Sequence, residues 1–257
     1  MTDTGSTALI VGVANKRSIS WAIAQALANA GTRLVLTYQN ERLAENVRDL
    51  AATISPAPLL LPCDVADDAQ IASLVPAIER ECGGLDMLVH GAAFAPREAL
   101  AAPFVETSRE AFRIALDVSA YSLVALSRAV RPLMAARQGG SILTLTYLGA
   151  ERVFPNYNVM GVAKAALEST VKYLASDLGP ENIRVNALSA GPIKTLAAAG
   201  ISGFSSILQV YRDRAPLHRN VELGEVADTA LFLLGPASRA ITGEVILVDG
   251  GFHVMGM

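Results

Sequence analysis

Short β-branched and leucine-rich runs alternate along this chain with longer stretches in which apolar residues recur every three or four positions. Strand-like runs fall at Ala8–Val13, Arg33–Thr37, Leu59–Leu61, Asp86–His90, Ser141–Thr146, Ile183–Leu188 and Glu244–Val248. Helical patterns lie between them over Ser20–Ala30, Glu41–Ala52, Asp67–Cys82, Arg109–Ala136, Tyr157–Leu178 and Val226–Leu234. Continuous apolar runs separated by helical patterns are the mark of strands buried on both faces. About seven of them predict an α/β fold, a doubly wound parallel sheet with helices on both faces. Right-handed crossovers then bring every strand's carboxyl end to one rim, where ligands bind at the point at which the strand order reverses. No repeat, low-complexity tract or Pro/Ser linker divides the chain, so residues 1–257 read as one domain.

The rim is legible from the strand ends: Gly12 to Ser18, Thr37 to Gln39, Cys63-Asp64-Val65, His90 to Phe94, Tyr147, and Ser189 to Thr195. Tyr147 ends an apolar strand, Pro155 punctuates, and Tyr157 opens a long Ala-rich helix that carries Lys164. At about 100° per residue, seven steps return a side chain nearly to its starting direction, roughly 10 Å further along the axis. A phenol and an ammonium then share one face with room for a sugar-sized group between them. Surface lysines are common, and any Tyr and Lys on a helix have a fair chance of sharing a face. The pair gains weight because Tyr147 falls on the same rim.

The loop after the first strand reads Gly12-Val-Ala-Asn-Lys-Arg-Ser18-Ile19, without the G-x-G-x-x-G dinucleotide fingerprint. One glycine supplies the tight turn. Ser18 and Ile19 open a helix whose free amides suit a pyrophosphate; a plain N-cap role for Ser18 is the other reading, and the two are compatible. The second strand ends at Gln39, where an acid favours NAD and a base admits the 2′-phosphate of NADP. Gln39 is neither, yet it can bond a ribose hydroxyl and offers a phosphate no charge; Lys16 and Arg17 keep NADP open. Asp64 stands where it can accept from an adenine amino group or, equally, cap a helix over Ala66–Gln70. Val65 and Ala92 occupy the same rim.

Composition narrows the class. The 257 residues are 52% hydrophobic and 18% charged with net charge −3, and they contain no block of Lys/Arg, which argues against a nucleic-acid surface. The opening Met-Thr-Asp-Thr-Gly-Ser lacks the features of a signal peptide, and apolar runs break before about 18 residues, so neither export nor a membrane span is expected. Cys63 and Cys82 are too few for a disulfide framework, which fits a reduced, cytoplasmic setting. His90, His218 and His253 have no metal-ligand spacing; each reads as structural or surface, and no metal is expected.

With these pieces assembled, the chain resembles the bacterial type II enoyl-acyl carrier protein reductases, a divergent branch of the Rossmann-like short-chain dehydrogenase/reductase family. The resemblance runs from about Ala8 to Gly251. It is most specific at Gly12 to Ser18, at Tyr147-Leu-Gly-Ala-Glu-Arg with Pro155-Asn-Tyr-Asn-Val-Met160, and at Ser189 to Ala197. Ordinary short-chain dehydrogenases use Tyr-x3-Lys; here position 161 is glycine and the lysine comes at 164, the Tyr-x6-Lys arrangement of enoyl reductases. The resemblance implies hydride transfer from NADH to a trans-2-enoyl thioester on acyl carrier protein. Tyr157 would donate to the thioester oxygen and Lys164 would hold the nicotinamide ribose. Tyr147 would be a second active-site tyrosine, lining the channel or supplying a proton. Ile193 and Thr195 would meet carboxamide and pyrophosphate, with Leu196 and Ala197 beside them. Phe94, Ala95, Met160, Ile201, Phe204 and Ile207 would wall the acyl site, the last three on a lid around residues 195–210. Gly200 and Gly203 make that stretch marginal as a helix, although an ordinary packed helix is the other reading. The family also implies a homotetramer, and the apolar tail Gly251–Met257 would be a liability on a monomer.

One departure is Gly91-Ala92-Ala93 where the family commonly has Ser-Ile-Gly, so Ala93 brings a methyl close to the cofactor. Two other functions compete: a 3-ketoacyl or other carbonyl reductase of the same fold, which Gly161 opposes, and a nucleotide-sensing protein without catalysis, which would be expected to lack Tyr157 or Lys164.

Overall fold

The computed structural model describes residues 5–195, 198 and 203–256. Its strands are β1 (Thr7–Val11), β2 (Arg33–Tyr38), β3 (Leu59–Pro62), β4 (Met87–His90), β5 (Gly140–Thr146), β6 (Ile183–Ala190) and β7 (Val245–Val248). They form one seven-stranded sheet in the order β3-β2-β1-β4-β5-β6-β7, every neighbouring pair parallel. The strand order reverses between β1 and β4, so the rim there is the switch point.

Alternation along β1 divides the core. Leu9 and Val11 face a cluster built with α3 (Asp68–Cys82), α6 (Ser122–Ala136) and α7 (Asn158–Leu178). Ala8 and Ile10 face another built with α1 (Ile19–Asn29), α2 (Glu41–Ala51) and α9 (Leu223–Leu234). With both faces covered, period-two polarity is absent from the strands, and their sequences read as unbroken apolar runs.

Two helical segments depart from the sequence pattern. The expected helix over Arg109–Ala136 is α5 (Arg109–Leu116) followed by a π-turn (Asp117–Tyr121) and then α6. The wider turn admits an extra residue, and it directs Ser119 and Ser122 inward, both fully buried. The second departure concerns the expected marginal lid. From Phe204 to Arg214 the chain is a regular helix, α8, which buries Leu208 and Tyr211; Gly203 precedes it in the left-handed conformation at φ 78°. Both glycines that made the 195–210 stretch marginal precede α8, so from Phe204 onward the ordinary packed helix is what forms, held by its buried face. A short helix absent from the pattern, α4 (Arg97–Ala101), ends against α7: Asn158 donates through Nδ2 to the carbonyls of Leu100 at 3.0 Å and Ala102 at 2.7 Å.

The carboxyl-terminal tail is anchored at one residue and exposed at another, Val254 being 66% exposed. Phe252 is buried, its ring stacked on Tyr211 at 3.8 Å, and Arg152 donates to the carbonyls of His253 and Met255.

Candidate functional site

The site forms where β4, β5 and β6 end beneath α7 and α8. Lys164 is only 6% exposed, and its Nζ donates to the Leu145 carbonyl at 2.7 Å, which fixes the ammonium at the end of β5. Two of its three protons remain for other partners. Burial pulls its pKa down to about 8 against the opposing pull of Glu168, one turn along the helix. Glu168 is held by Thr146, whose hydroxyl donates to Oε1 at 2.6 Å; burial raises this carboxyl above its ordinary range. Sequence reasoning missed Glu168, although its i,i+4 spacing from Lys164 put it on the right face.

Tyr157 stands at the start of α7, 8% exposed, in a cluster with Ala95, Met160, Ala99 and Ala163, against which Tyr147 and Phe154 pack. Tyr147 and Tyr157 meet edge to face at 5.1 Å, and Phe154 lies 5.0 Å from Tyr147. Burial pushes both phenols up, Tyr147 to about 12 and Tyr157 further, so both are neutral donors at neutral pH.

Two glycines set this geometry. A Cβ on Gly149 would fall 2.5 Å from Tyr157 Cδ1, and a Cβ on Gly161 would fall 2.8 Å from the Gly149 carbonyl oxygen. No side chain fits at 161, so the position that would carry the lysine of a Tyr-x3-Lys enzyme is closed by backbone, and the ammonium comes from Lys164.

The cofactor side follows from the opposite half of the rim. Gly12 has φ 97°, and a Cβ there would lie 2.5 Å from the Gly91 carbonyl oxygen; a Cβ on Gly91 would land on Ser20 Oγ and 2.9 Å from the Val11 carbonyl oxygen. Ser18 is at the N-cap position of α1 but does not cap it: its hydroxyl accepts instead from the amides of Ala14 at 3.0 Å and Asn15 at 3.1 Å, folding the loop back on itself. The side chain thus leaves the helix start, Ile19 onward, to an anion. Asp64 does not cap the following helix either; Asp67 does, accepting from Ala69 and Gln70, while Asp64 accepts from the Ala66 amide at 3.0 Å. Gln39 Nε2 donates to Asp64 Oδ2 at 3.2 Å, which leaves Gln39 Oε1 as a free-facing acceptor beside a carboxylate. Val65 and Ala92 are half-buried against the core. This close-packed, glycine-lined turn, together with an uncapped helix start and a lysine with spare protons, fits a dinucleotide.

The remaining expected residues divide. Ile193 packs on the core and Thr195 accepts from the Ala198 amide at 3.1 Å. Ile207 packs beside Leu148 and Tyr211, near Tyr147. Phe204 is half-buried at the start of α8. Phe94 is 54% exposed and does not join the tyrosine cluster, but its backbone is clamped: Ser119 Oγ accepts from Phe94 N at 3.0 Å and donates to Phe94 O at 3.2 Å. Leu196, Ala197 and Ile201 lie outside the described residues. Among the described residues no cluster of His, Cys, Asp or Glu could hold a metal. His90 is structural. Fully buried, it spans Thr144 and Ser122, each hydroxyl 2.8 Å from a ring nitrogen, and burial drives its pKa down to about 3.

A doubly wound sheet with a buried Tyr and Lys two turns apart at its switch-point rim defines a short-chain dehydrogenase/reductase. The chain belongs, within that class, to the enoyl-(acyl carrier protein) reductase family, whose profile matches residues 12–253. It is 52% identical over 253 residues to the NADH-dependent enoyl-acyl-carrier-protein reductase FabI of Bacillus cereus, with 98% of each chain covered. Against the Aquifex aeolicus FabI it is 47% identical over 98% of this chain and 93% of that one. The fold superposes on the B. cereus reductase solved with NADP+ and indole naphthyridinone at TM-score 0.96, with 51% identity and coverage of 99% of this chain and 98% of that one. The Anaplasma phagocytophilum reductase solved with NAD gives TM-score 0.94 at 45% identity, covering 98% and 95%.

Proposed function

We propose that Tyr157 and Lys164 are the catalytic pair of this NADH-dependent enoyl-acyl carrier protein reductase, with Tyr147 packed edge to face on Tyr157. The reaction is reduction of a trans-2-enoyl thioester to the saturated acyl thioester. NADH, when bound, supplies the hydride for the β-carbon. Negative charge then gathers on the thioester oxygen, where the neutral Tyr157 hydroxyl donates; one such donor is worth on the order of 10²–10³ in rate. Lys164, anchored by the Leu145 carbonyl, has two N–H groups left that would meet the ribose hydroxyls of the bound cofactor and keep it in register with the tyrosine. Gly12, Ser18, Ile19, Gln39, Asp64, Val65, Ala92, Ile193 and Thr195 form the cofactor face; Ala95, Met160, Phe204 and Ile207 form the acyl face. The Asp64 carboxylate beside Gln39 disfavours a 2′-phosphate, which supports NADH over NADPH.

The single observation that carries this assignment is the closed position 161, which leaves Lys164 as the lysine of the pair. It also disfavours a carbonyl reductase with Tyr-x3-Lys. Mixing the protein with NADH and crotonyl thioester, or with a 3-ketoacyl thioester, while following nicotinamide absorbance is the test. Consumption with the enoyl substrate alone is expected; consumption only with the ketone would overturn the assignment.

The finer setting belongs to the same reading. One domain serves cofactor and substrate, the protein works in the cytoplasm, and it assembles as a homotetramer. Support for assembly comes from exposed apolar residues, Val162 and Tyr173 on one face of α7 and Val254 in the tail among them.

A further inference from the structure

A third tyrosine, which neither the cofactor nor the acyl face uses, sits behind the reacting pair. Tyr211 is on α8 and 1% exposed, its ring held flat on Phe252 at an interplanar angle of 17°. Its hydroxyl donates to the Tyr147 hydroxyl oxygen at 3.4 Å, the hydrogen bond it makes among the described residues. A phenol has one proton to give and lone pairs to accept with. A buried hydroxyl left without an acceptor is costly, so Tyr211 spends its proton on Tyr147. The Tyr147 oxygen is then satisfied from behind, and its own proton is free on the side of Tyr157, whose ring it meets edge to face.

We propose that Tyr211 is a positioning residue: by donating to Tyr147 from α8 it turns the Tyr147 O–H toward the reacting thioester and so makes Tyr147 a second donor in the site. The inference rests on the enoyl reductase reading above. It also ties α8 to the reacting groups, because Tyr211 lies on that helix.

The test is a double-mutant cycle on kcat with crotonyl thioester, using Tyr211→Phe, Tyr147→Phe and both together. Phenylalanine at 211 keeps the stacking on Phe252 and deletes only the hydroxyl. One neutral hydrogen bond corresponds to roughly a two- to tenfold effect. Tyr211→Phe is therefore expected to lower kcat about that much with KM for NADH unchanged, and to have no further effect once Tyr147 is phenylalanine. Equal effects in both backgrounds, or parental kcat for Tyr211→Phe, would overturn the proposal. Parental kcat for Tyr147→Phe would overturn it as well, while leaving the roles of Tyr157 and Lys164 intact. Should Tyr211→Phe fold poorly, 3-fluorotyrosine at 211, a stronger donor on the same ring, must change kcat in the parent and not in Tyr147→Phe.

Discussion

Four side chains decide how this protein responds to substitution and pH. In the proposed mechanism Tyr157 acts on charge that exists only in the transition state, so Tyr157→Phe is expected to lower kcat by about tenfold or more and to leave NADH binding nearly unchanged. Steady-state kinetics and cofactor fluorescence titration measure the two. Lys164 has a folded pKa of about 8 because burial disfavours the ammonium. The charged form is the better ribose partner, so KM for NADH should rise as pH rises through about 8. Glu168, bonded to Thr146 and facing Glu151 and Lys172 as well, helps retain that proton; Glu168→Gln should move the rise to lower pH. His90 shows the opposite consequence of burial, for stability. Its folded pKa of about 3 lies below the ordinary 6.5, so the unfolded chain binds the extra proton between those values. Stability is full above pH 6.5 and is lost progressively as pH falls toward 3. Melting temperature against pH should show this slope, and His90→Gln should flatten it.

At the scale of elements, the junction of β1, α1 and β4 is the tightest part of the rim. Gly91 has no room for a methyl because Ser20 Oγ, donating to the Val11 carbonyl at 3.2 Å, already occupies that space. Overpacking of this kind costs about 1–3 kcal/mol. Gly91→Ala is expected to lower stability by that amount in urea denaturation, and adding Ser20→Ala should recover part of it. The departure of this chain from Ser-Ile-Gly at 91–93 is thus matched by Ser20 across the junction. The helices tell the same story of local pattern and tertiary contact. The helix carrying Lys164 was legible, but it begins at Asn158 rather than Tyr157: Tyr157 is its N-cap and Asn158, at φ 40°, separates it from the regular turns, so a seven-residue spacing does not by itself fix the direction of Tyr157 relative to Lys164. The π-turn was not, because Asp117-Val-Ser-Ala-Tyr121 has no local breaker; burial of Ser119 against Phe94 and of Ser122 against His90 holds the wider turn. Nor was the seating of α8 legible, since Tyr211 and Ile207 pack there on Leu148 and Phe252, residues distant in the chain.

For the whole molecule, the exposed apolar surface bears on assembly. Val153 is 99% exposed, and Tyr173 and Val162 present apolar surface on one face of α7. Light scattering at micromolar concentration is expected to give about four times the chain mass of 26.9 kDa; a value near 26.9 kDa would reject the tetramer. Among the described residues no helix is long and apolar enough to cross a membrane.

By itself the sequence determined the sheet and its parallel sense, because strands buried on both faces must be apolar throughout; it also singled out Tyr157 and Lys164, the pair proposed to react. Tertiary structure alone decided what surrounds the pair. Ser18 folding its loop instead of capping α1, Asp64 pairing with Gln39, Thr146 holding Glu168, and Tyr211 reaching Tyr147 from 64 residues away are contacts between segments distant in the chain or alternatives of equal local merit. A side chain's hydrogen-bonding capacity is a property of its residue type, but its partner is chosen by which strand end or helix packing brings near.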